Sequence, residues 1–194
     1  MKLSIDLACA SSPLWVQAVI ENFDSFLQDH ANCERKASNM VMSLVAKYPD
    51  RIEIIPQLIE TAVEELEHFR DVYAVMQQRG VELAKEIVQD IYMKHLLDLL
   101  RPTSMERFMD RLLLCSVIEC RGAERFKLIW EALPDGEMKK FYHRLWASEA
   151  KHGNIFVKMA LHYFTETEVY ARLKQLITAE AKILQALPIK AALH

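Results

Sequence analysis

Apolar residues occur along the whole chain in groups that charged residues interrupt. No stretch approaches the roughly 20 uncharged apolar residues that a membrane span requires. The largely apolar run 112–118 ends directly before Glu119, which indicates that this glutamate points into the interior. Large residues in the last third of the chain are interpreted as core positions. They are Trp146, Phe156, Met159 and Phe164.

Helix start and stop signals divide this pattern into segments. Proline is favoured in the first turn of a helix, so a helix is predicted to begin at Pro13. Two segments are predicted to interrupt helices, Pro49-Asp50 and Pro134-Asp135-Gly136. Gly80 is predicted to end a helix. Thr165-x-x-Glu168 is a capping box. The predicted helices run from about 13 to 21, from a cap at Asp24 to Tyr48, from Arg51 to Arg79, from Asp90 to Leu100, from Thr103 or Ser104 to Leu133, from the 134–136 turn to Phe164, and from Thr165 to Leu187.

Composition and charge narrow the class of protein. The four glycines and six prolines are too few for many hairpin turns, which favours an all-α fold. The four cysteines form no C-x-x-C pair, and the net charge of −3 counts against a general nucleic-acid binder. Asp6 comes too early for a secretory signal, so we expect a cytoplasmic protein.

The long segments pair into two helix hairpins joined by residues 81–102. A connection of this length can cross the end of a helical bundle, as in ferritin-like folds. We therefore predict a single domain over residues 1–194. Its expected fold is an all-α, ferritin-like four-helix bundle with additional short and C-terminal helices.

Two Glu-x-x-His pairs, Glu65 with His68 and Glu149 with His152, are candidate metal ligands. Residues three apart project from one helix face, so each pair can bind one ion. Glu34 lies 31 residues before Glu65, and Glu119 lies 30 before Glu149. The predicted turn falls near the midpoint in both cases, and each arm of about 15 residues spans roughly 23 Å. Each hairpin thus offers three ligands at matching depth.

This ligand set predicts a dinuclear centre. Four carboxylates and two imidazoles on four helices are typical of di-iron or di-manganese sites. Four negative charges neutralise two divalent cations, and oxygen-rich ligands suit iron or manganese better than zinc or copper. We expect two iron ions that activate dioxygen.

Other charged residues are interpreted more simply. Glu64 and Glu67 are expected to face solvent, although Glu64 is also spaced to replace Glu65 as a ligand. Four further histidines are interpreted as surface or core residues: His30, His95, His143 and His162. A group of basic residues is either a solvated face or a landing site for phosphates. It comprises Arg35, Lys36, Arg121, Arg125, Lys127, Lys139, Lys140, Arg144 and Lys151.

Four segments resemble the MiaE-type tRNA hydroxylases, which act on 2-methylthio-N6-isopentenyladenosine. Residues 29–37, 64–69, 110–126 and 148–152 are similar, in this order, to the four ligand segments of that family. One departure is the residue after Glu119, which is Cys120 where the family usually has alanine.

The resemblance implies a role for each ligand and a reaction. Glu65 and Glu149 bridge the two irons, Glu34 and Glu119 are terminal ligands, and His68 and His152 each bind one iron. The implied reaction inserts one oxygen atom of dioxygen into an allylic C–H bond of the prenyl group, beside the tRNA anticodon. An external reductase supplies the electrons, and we expect a monomer.

Three alternatives remain open at the level of sequence. One is a ferritin-like ferroxidase that handles iron. A second is a di-iron hydroxylase of another substrate, such as a quinone precursor, a lipid or an acyl carrier. A third is a metal-free helical interaction module.

Overall fold

A computed structural model of the chain describes residues 5–85 and 89–193. Within these ranges the chain forms seven helices and no strand, which confirms an all-α fold for the described residues. No described helix is long and apolar enough to cross a membrane. The helices are α1 Pro13–Glu21, α2 Phe23–Lys47, α3 Ile55–Arg79, α4 Ile91–Leu97, α5 Ser104–Ala132, α6 Glu137–Leu161 and α7 Glu166–Ala186.

The described helices group into two compact units. Of the described residues, one unit draws on 18–85 and 190–193 and contains the hairpin of α2 and α3. The other draws on 5–17 and 89–189 and contains α4 to α7. The single domain predicted from the sequence stays a prediction.

The α2–α3 hairpin is closed by local signals at both ends. Tyr48 follows α2, and its N–H donates to the Leu44 carbonyl at 2.9 Å. Gly80 ends α3 in the left-handed region with φ 71°, where glycine carries no Cβ penalty. Arg79 donates to the Asp24 carboxylate at 2.7 Å and so ties the end of α3 to the start of α2.

The second unit is held together around buried charges. Asp110 on α5 accepts hydrogen bonds from Arg101, which precedes this helix, and from Arg172 on α7. Arg121 on α5 donates two hydrogen bonds to Glu180 on α7, at 2.8 and 3.0 Å. The capping box of Thr165 is present as predicted and begins α7.

Two predicted helix starts are wrong. The third helix begins at Ile55 instead of Arg51, because a start at Arg51 would require an N–H at Pro56 to reach the Ile52 carbonyl. The second helix begins at Phe23, so Asp24 lies in the first turn and is not the cap.

Two other predicted helices are too long. Asp90 is the N-cap of α4, accepting from the Met93 N–H at 3.0 Å, and the helix ends at Leu97 rather than Leu100. The sixth helix ends at Leu161 rather than Phe164, and the following residues form a turn. Residues 86–88 of the predicted connection lie outside the described residues.

Candidate metal centre

Glu34, Glu65 and His68 come together within the α2–α3 hairpin. We call them the α2–α3 triad. One potential ligand atom from each lies within 4.8 Å of the others. The His68 Nδ1 is 3.8 Å from Glu34 Oε2 and 3.7 Å from Glu65 Oε2. Both carboxylates are buried, at 4% and 1% exposed.

Glu119, Glu149 and His152 form a matching group within the α5–α6 hairpin. We call them the α5–α6 triad. Their ligand atoms also lie within 4.8 Å of one another. The His152 Nδ1 is 3.1 Å from Glu149 Oε2 and 4.0 Å from Glu119 Oε2, and all three residues are buried. The predicted depth of the lone glutamate and the Glu-x-x-His pair is therefore correct within each hairpin.

The donor set of each triad fits a divalent metal ion. Ligand atoms about 2.1 Å from one ion lie roughly 3–4 Å apart, which is the range of the distances above. Two carboxylates and one imidazole are the ligands that iron and manganese accept. Without a cation, each triad keeps two buried carboxylates close together, which is unfavourable.

His30 is a functional candidate that the sequence interpretation missed. It is fully buried on α2, and its Nε2 lies 2.7 Å from Glu34 Oε1. A signal was available, because His30 and Glu34 are four residues apart and share one helix face. From the sequence, His30 was interpreted as a surface or core residue; the structure shows a core residue, and its contact with Glu34 was not predicted.

The two glutamates that flank the candidate ligand Glu65 on α3 face solvent, as predicted. Glu64 and Glu67 are exposed, and Glu67 lies 3.6 Å from Arg70. Glu65 is the inward-facing member of the pair 64–65, so Glu64 is not needed as a substitute ligand.

Helices α5 and α6 approach closely next to the α5–α6 triad. Ser116 Oγ donates to the Gly153 carbonyl at 2.6 Å. A Cβ at Gly153 would overlap the Sγ of Cys120, so the residue after His152 must be small. Cys120 thus occupies the space that Gly153 leaves.

Two of the basic residues predicted as a possible phosphate landing site are buried. Arg121 is fully buried against Glu180 and Glu124, and Arg125 lies 4.6 Å above the Trp15 ring and donates to Ser11. Burial lowers the pKa of Arg125 to about 10. These two arginines are therefore wrong as candidates for contact with a phosphate backbone.

The other basic residues keep at least part of their surface accessible. Lys127, Lys140, Arg144 and Lys151 are exposed, while Arg35, Lys36 and Lys139 are half-buried. Trp146 stacks on Trp130 with ring centroids 5.1 Å apart, which supports its interpretation as a packing residue.

Comparison with known proteins gives a match to one family model and to two curated relatives. A family model described as tRNA-(MS[2]IO[6]A)-hydroxylase (MiaE) matches residues 2–194. A curated relative from Pseudomonas putida is 33% identical and covers 93% of this chain and 87% of its own length. A second curated relative, from Salmonella typhimurium, is 26% identical, and the match covers 92% of this chain and 83% of the relative. Both are named tRNA 2-(methylsulfanyl)-N(6)-isopentenyladenosine(37) hydroxylase.

A solved structure supports the fold class. It is titled as a protein with aldehyde deformylating oxygenase activity from Synechococcus, and it is 31% identical with a TM-score of 0.90. The match covers 95% of this chain and 92% of the neighbour. The predicted ferritin-like class is confirmed by this neighbour. Since the family model spans almost every residue, the chain belongs to the MiaE family of hydroxylase enzymes.

Proposed function

We propose that this chain hydroxylates the isopentenyl group of the modified adenosine at position 37 of tRNA. The observation that carries the proposal is the pair of buried triads with the same donor set, one in each long hairpin. The names of the two relatives supply the substrate. The reaction converts a C–H bond to C–OH, and it consumes one dioxygen, two electrons and two protons and releases one water.

The six triad residues would hold two iron ions. Glu65 and Glu149 are proposed as bridging ligands, Glu34 and Glu119 as terminal ligands, and His68 and His152 as one ligand for each ion. When bound, the two irons supply the redox chemistry that reduces dioxygen and oxidises the prenyl C–H bond. Four carboxylates balance the four positive charges of two ferrous ions, which offsets the cost of their burial.

The residues around the α5–α6 triad would keep bulk water away from the reaction. Leu112, Leu113 and Val117 are fully buried on α5 just before Glu119. Apolar surroundings of this kind would strengthen the electrostatic interactions of the carboxylates and suit an apolar prenyl chain. The hydroxylated position is proposed to be an allylic carbon of that chain.

The remaining partners are part of the same proposal. Transfer RNA is the substrate, and exposed cations on α5 and α6, such as Arg144 and Lys151, would contact its phosphates. An external reductase supplies the two electrons. We propose that the enzyme acts as a monomer in the cytoplasm.

A single turnover tests the proposal. The ferrous-loaded protein is exposed to dioxygen with tRNA that carries the isopentenylated base, and digested nucleosides are analysed by mass spectrometry. The prenyl group should gain one oxygen, and ¹⁸O₂ should label it. Glu119→Ala should give no product, whereas Glu64→Ala, which removes an exposed glutamate, should match the wild type. Full product formation in Glu119→Ala would contradict the ligand assignment.

A second candidate function is deformylation of an aldehyde at the same proposed metal centre. The observation that favours it is the solved neighbour with aldehyde deformylating activity, which is nearly as identical to this chain as the first relative. The same single turnover with an aldehyde in place of tRNA distinguishes the two. Consumption of the aldehyde without oxygen transfer to tRNA would favour this second function.

A further inference from the structure

His30 lies within hydrogen-bond distance of a proposed metal ligand on its own helix. Its Nε2 is 2.7 Å from Oε1 of Glu34, one helical turn away on α2. His30 is fully buried, and Glu34 is 4% exposed. A hydrogen bond to an ionised carboxylate in such a place is shorter and stronger than an ordinary one.

This contact gives the two oxygens of Glu34 different neighbours. A carboxylate that binds a metal ion is ionised and can only accept, so in the metal-bound protein the Nε2 of His30 would carry the hydrogen and donate it to Oε1. The other oxygen, Oε2, is the one that lies 3.8 Å from the His68 Nδ1. The contact with His30 therefore leaves Oε2 directed at the α2–α3 triad.

The His30 ring is itself held by packing. Phe26, one turn earlier on α2, is fully buried, and the two ring centroids are 5.6 Å apart with the planes inclined by 34°. A buried ring that packs against such a neighbour loses most of its rotational freedom. The donor thus stands in a fixed position relative to Glu34.

The second hairpin carries a different residue at the corresponding position. Four residues before Glu119 on α5 is Cys115, which is buried at 2% exposed. A thiol is a weaker hydrogen-bond donor than an imidazole N–H. The two lone glutamates therefore differ in the residue that lies one helical turn before them, an imidazole on α2 and a thiol on α5.

We propose that His30 is a positioning residue that fixes Glu34 with Oε2 directed toward the metal, so that the α2–α3 triad binds its ion more tightly. The inference rests on the metal centre of the proposed function. Partners that orient a ligand in this way typically change metal affinity by about 10–100-fold when they are removed.

Cobalt(II) binding to the full-length chain tests the role of His30. Metal-free protein is titrated with Co²⁺, and the visible absorption spectrum and the dissociation constant of the tightest site are measured. His30→Leu removes the donor with similar volume, and His30→Asn removes the Nε2 donor while keeping a polar side chain. His30→Gln places an amide N–H near the Nε2 position, and His95→Ala removes an exposed histidine as the control.

The expected result is a graded loss. His30→Leu and His30→Asn should weaken the tightest site by about 10–100-fold and change the cobalt spectrum, while His30→Gln stays within roughly threefold of wild type. Helix content by circular dichroism should be unchanged in the variants that are compared. Wild-type affinity and spectrum in either of the first two variants would overturn the positioning role, as would equal losses in His30→Gln. Absence of cobalt binding by the wild type would instead overturn the metal centre.

Discussion

Gly153 on α6 faces Cys120 on α5, and no space for a further side-chain atom remains between them. Gly153 follows His152, and Cys120 follows Glu119, so their contact lies one residue from two members of the α5–α6 triad. In the sequence analysis, Cys120 is one departure from the family pattern that the resemblance implies. The structure pairs it with the glycine that faces it.

We expect Gly153→Ala to destabilise the protein by about 1–2 kcal/mol, because the added methyl group overlaps Cys120 Sγ. The double variant Cys120→Ala/Gly153→Ala should recover most of this stability, which a double-mutant cycle by urea unfolding measures. Gly122→Ala on α5 is the matched control: nothing lies within 4 Å of its Cβ position, and it should gain about 0.5–1 kcal/mol. Simple additivity in the cycle would contradict the contact.

The proposed ligands were predictable from sequence because helical spacing and the turn positions determine which side chains share a level in a hairpin. Glu34, Glu65 and His68 follow from that rule, and the same rule gives the α5–α6 triad. His30 and Gly153 were not singled out, because their roles depend on what their side chains touch in the folded protein. Arg125 was misassigned for the same reason, since an exposed and a buried arginine look alike in sequence.

At the level of elements, buried charges fasten the connecting segments to the long helices. The carboxylate of Asp110 on α5 accepts hydrogen bonds from the backbone N–H and the side chain of Arg101, the first at 2.9 Å. It also accepts from the side chain of Arg172, whose Nε lies 2.8 Å from Oδ1 of Asp110. Burial raises the pKa of this carboxyl, but the hydrogen bonds from Arg101 and Arg172 outweigh burial and hold the pKa below its ordinary value.

We expect Asp110→Asn to cost about 3 kcal/mol at pH 7, because two arginines are left without their buried anionic partner. The pKa is lower in the folded than in the unfolded chain, where it is about 3.9, so this stabilisation is present above pH 4 and disappears as the pH falls through the folded value. The difference in Tm between wild type and variant should therefore shrink below about pH 4. Glu106→Gln, which removes the other, half-exposed carboxylate of Arg101, should cost less than about 1 kcal/mol.

Helix ends were predicted well where a local residue determines them and poorly where it does not. Gly80, the 134–136 turn and the Thr165 capping box each act through their own backbone, and the structure has all three. To predict the start of α3 correctly, one has to identify the helical hydrogen bond that is missing because Pro56 has no N–H. The end of α6 has no strong breaker, so the prediction ran three residues too far.

For the whole molecule, the triad carboxylates that suit metal binding are expected to destabilise the metal-free protein. Each triad keeps two buried carboxylates close to one another, and a bound cation would compensate their repulsion. The metal-free protein should therefore be less stable than the composition of its core suggests. Binding of metal at about 1,000 times its Kd would add about 4 kcal/mol.

We expect Glu65→Gln to raise the Tm of the metal-free protein by a few degrees, since about 1 kcal/mol corresponds to roughly 2–4 °C at this chain length. The same substitution should abolish most of the Tm increase that ferrous iron or manganese gives to the wild type. Differential scanning calorimetry with chelator and with metal measures both changes. Glu64→Gln, the exposed neighbour, should alter neither, and a fall in the metal-free Tm of Glu65→Gln would contradict the repulsion.

Binding of tRNA should depend on the exposed cations and not on the buried ones. Arg144→Ala is expected to weaken tRNA binding and to reduce the slope of log K against log salt by about 1, which corresponds to one phosphate that is no longer neutralised. Lys182→Ala, an exposed cation on α7, serves as the control. Fluorescence anisotropy with labelled tRNA at several salt concentrations measures the slopes. Equal slopes in wild type and Arg144→Ala would exclude Arg144 from the interface.

Each triad is encoded within one hairpin, and this has a consequence for biosynthesis. The α2–α3 triad is complete once residue 68 has left the ribosome, whereas the α5–α6 triad needs residues up to His152. At about 5–20 residues per second, the roughly 84 residues between them take about 4–17 seconds to translate. The nascent chain would therefore present three proposed metal ligands to the cell's metal pool for seconds before the other three are made. Metal availability at the ribosome can thus determine which ion reaches the first hairpin.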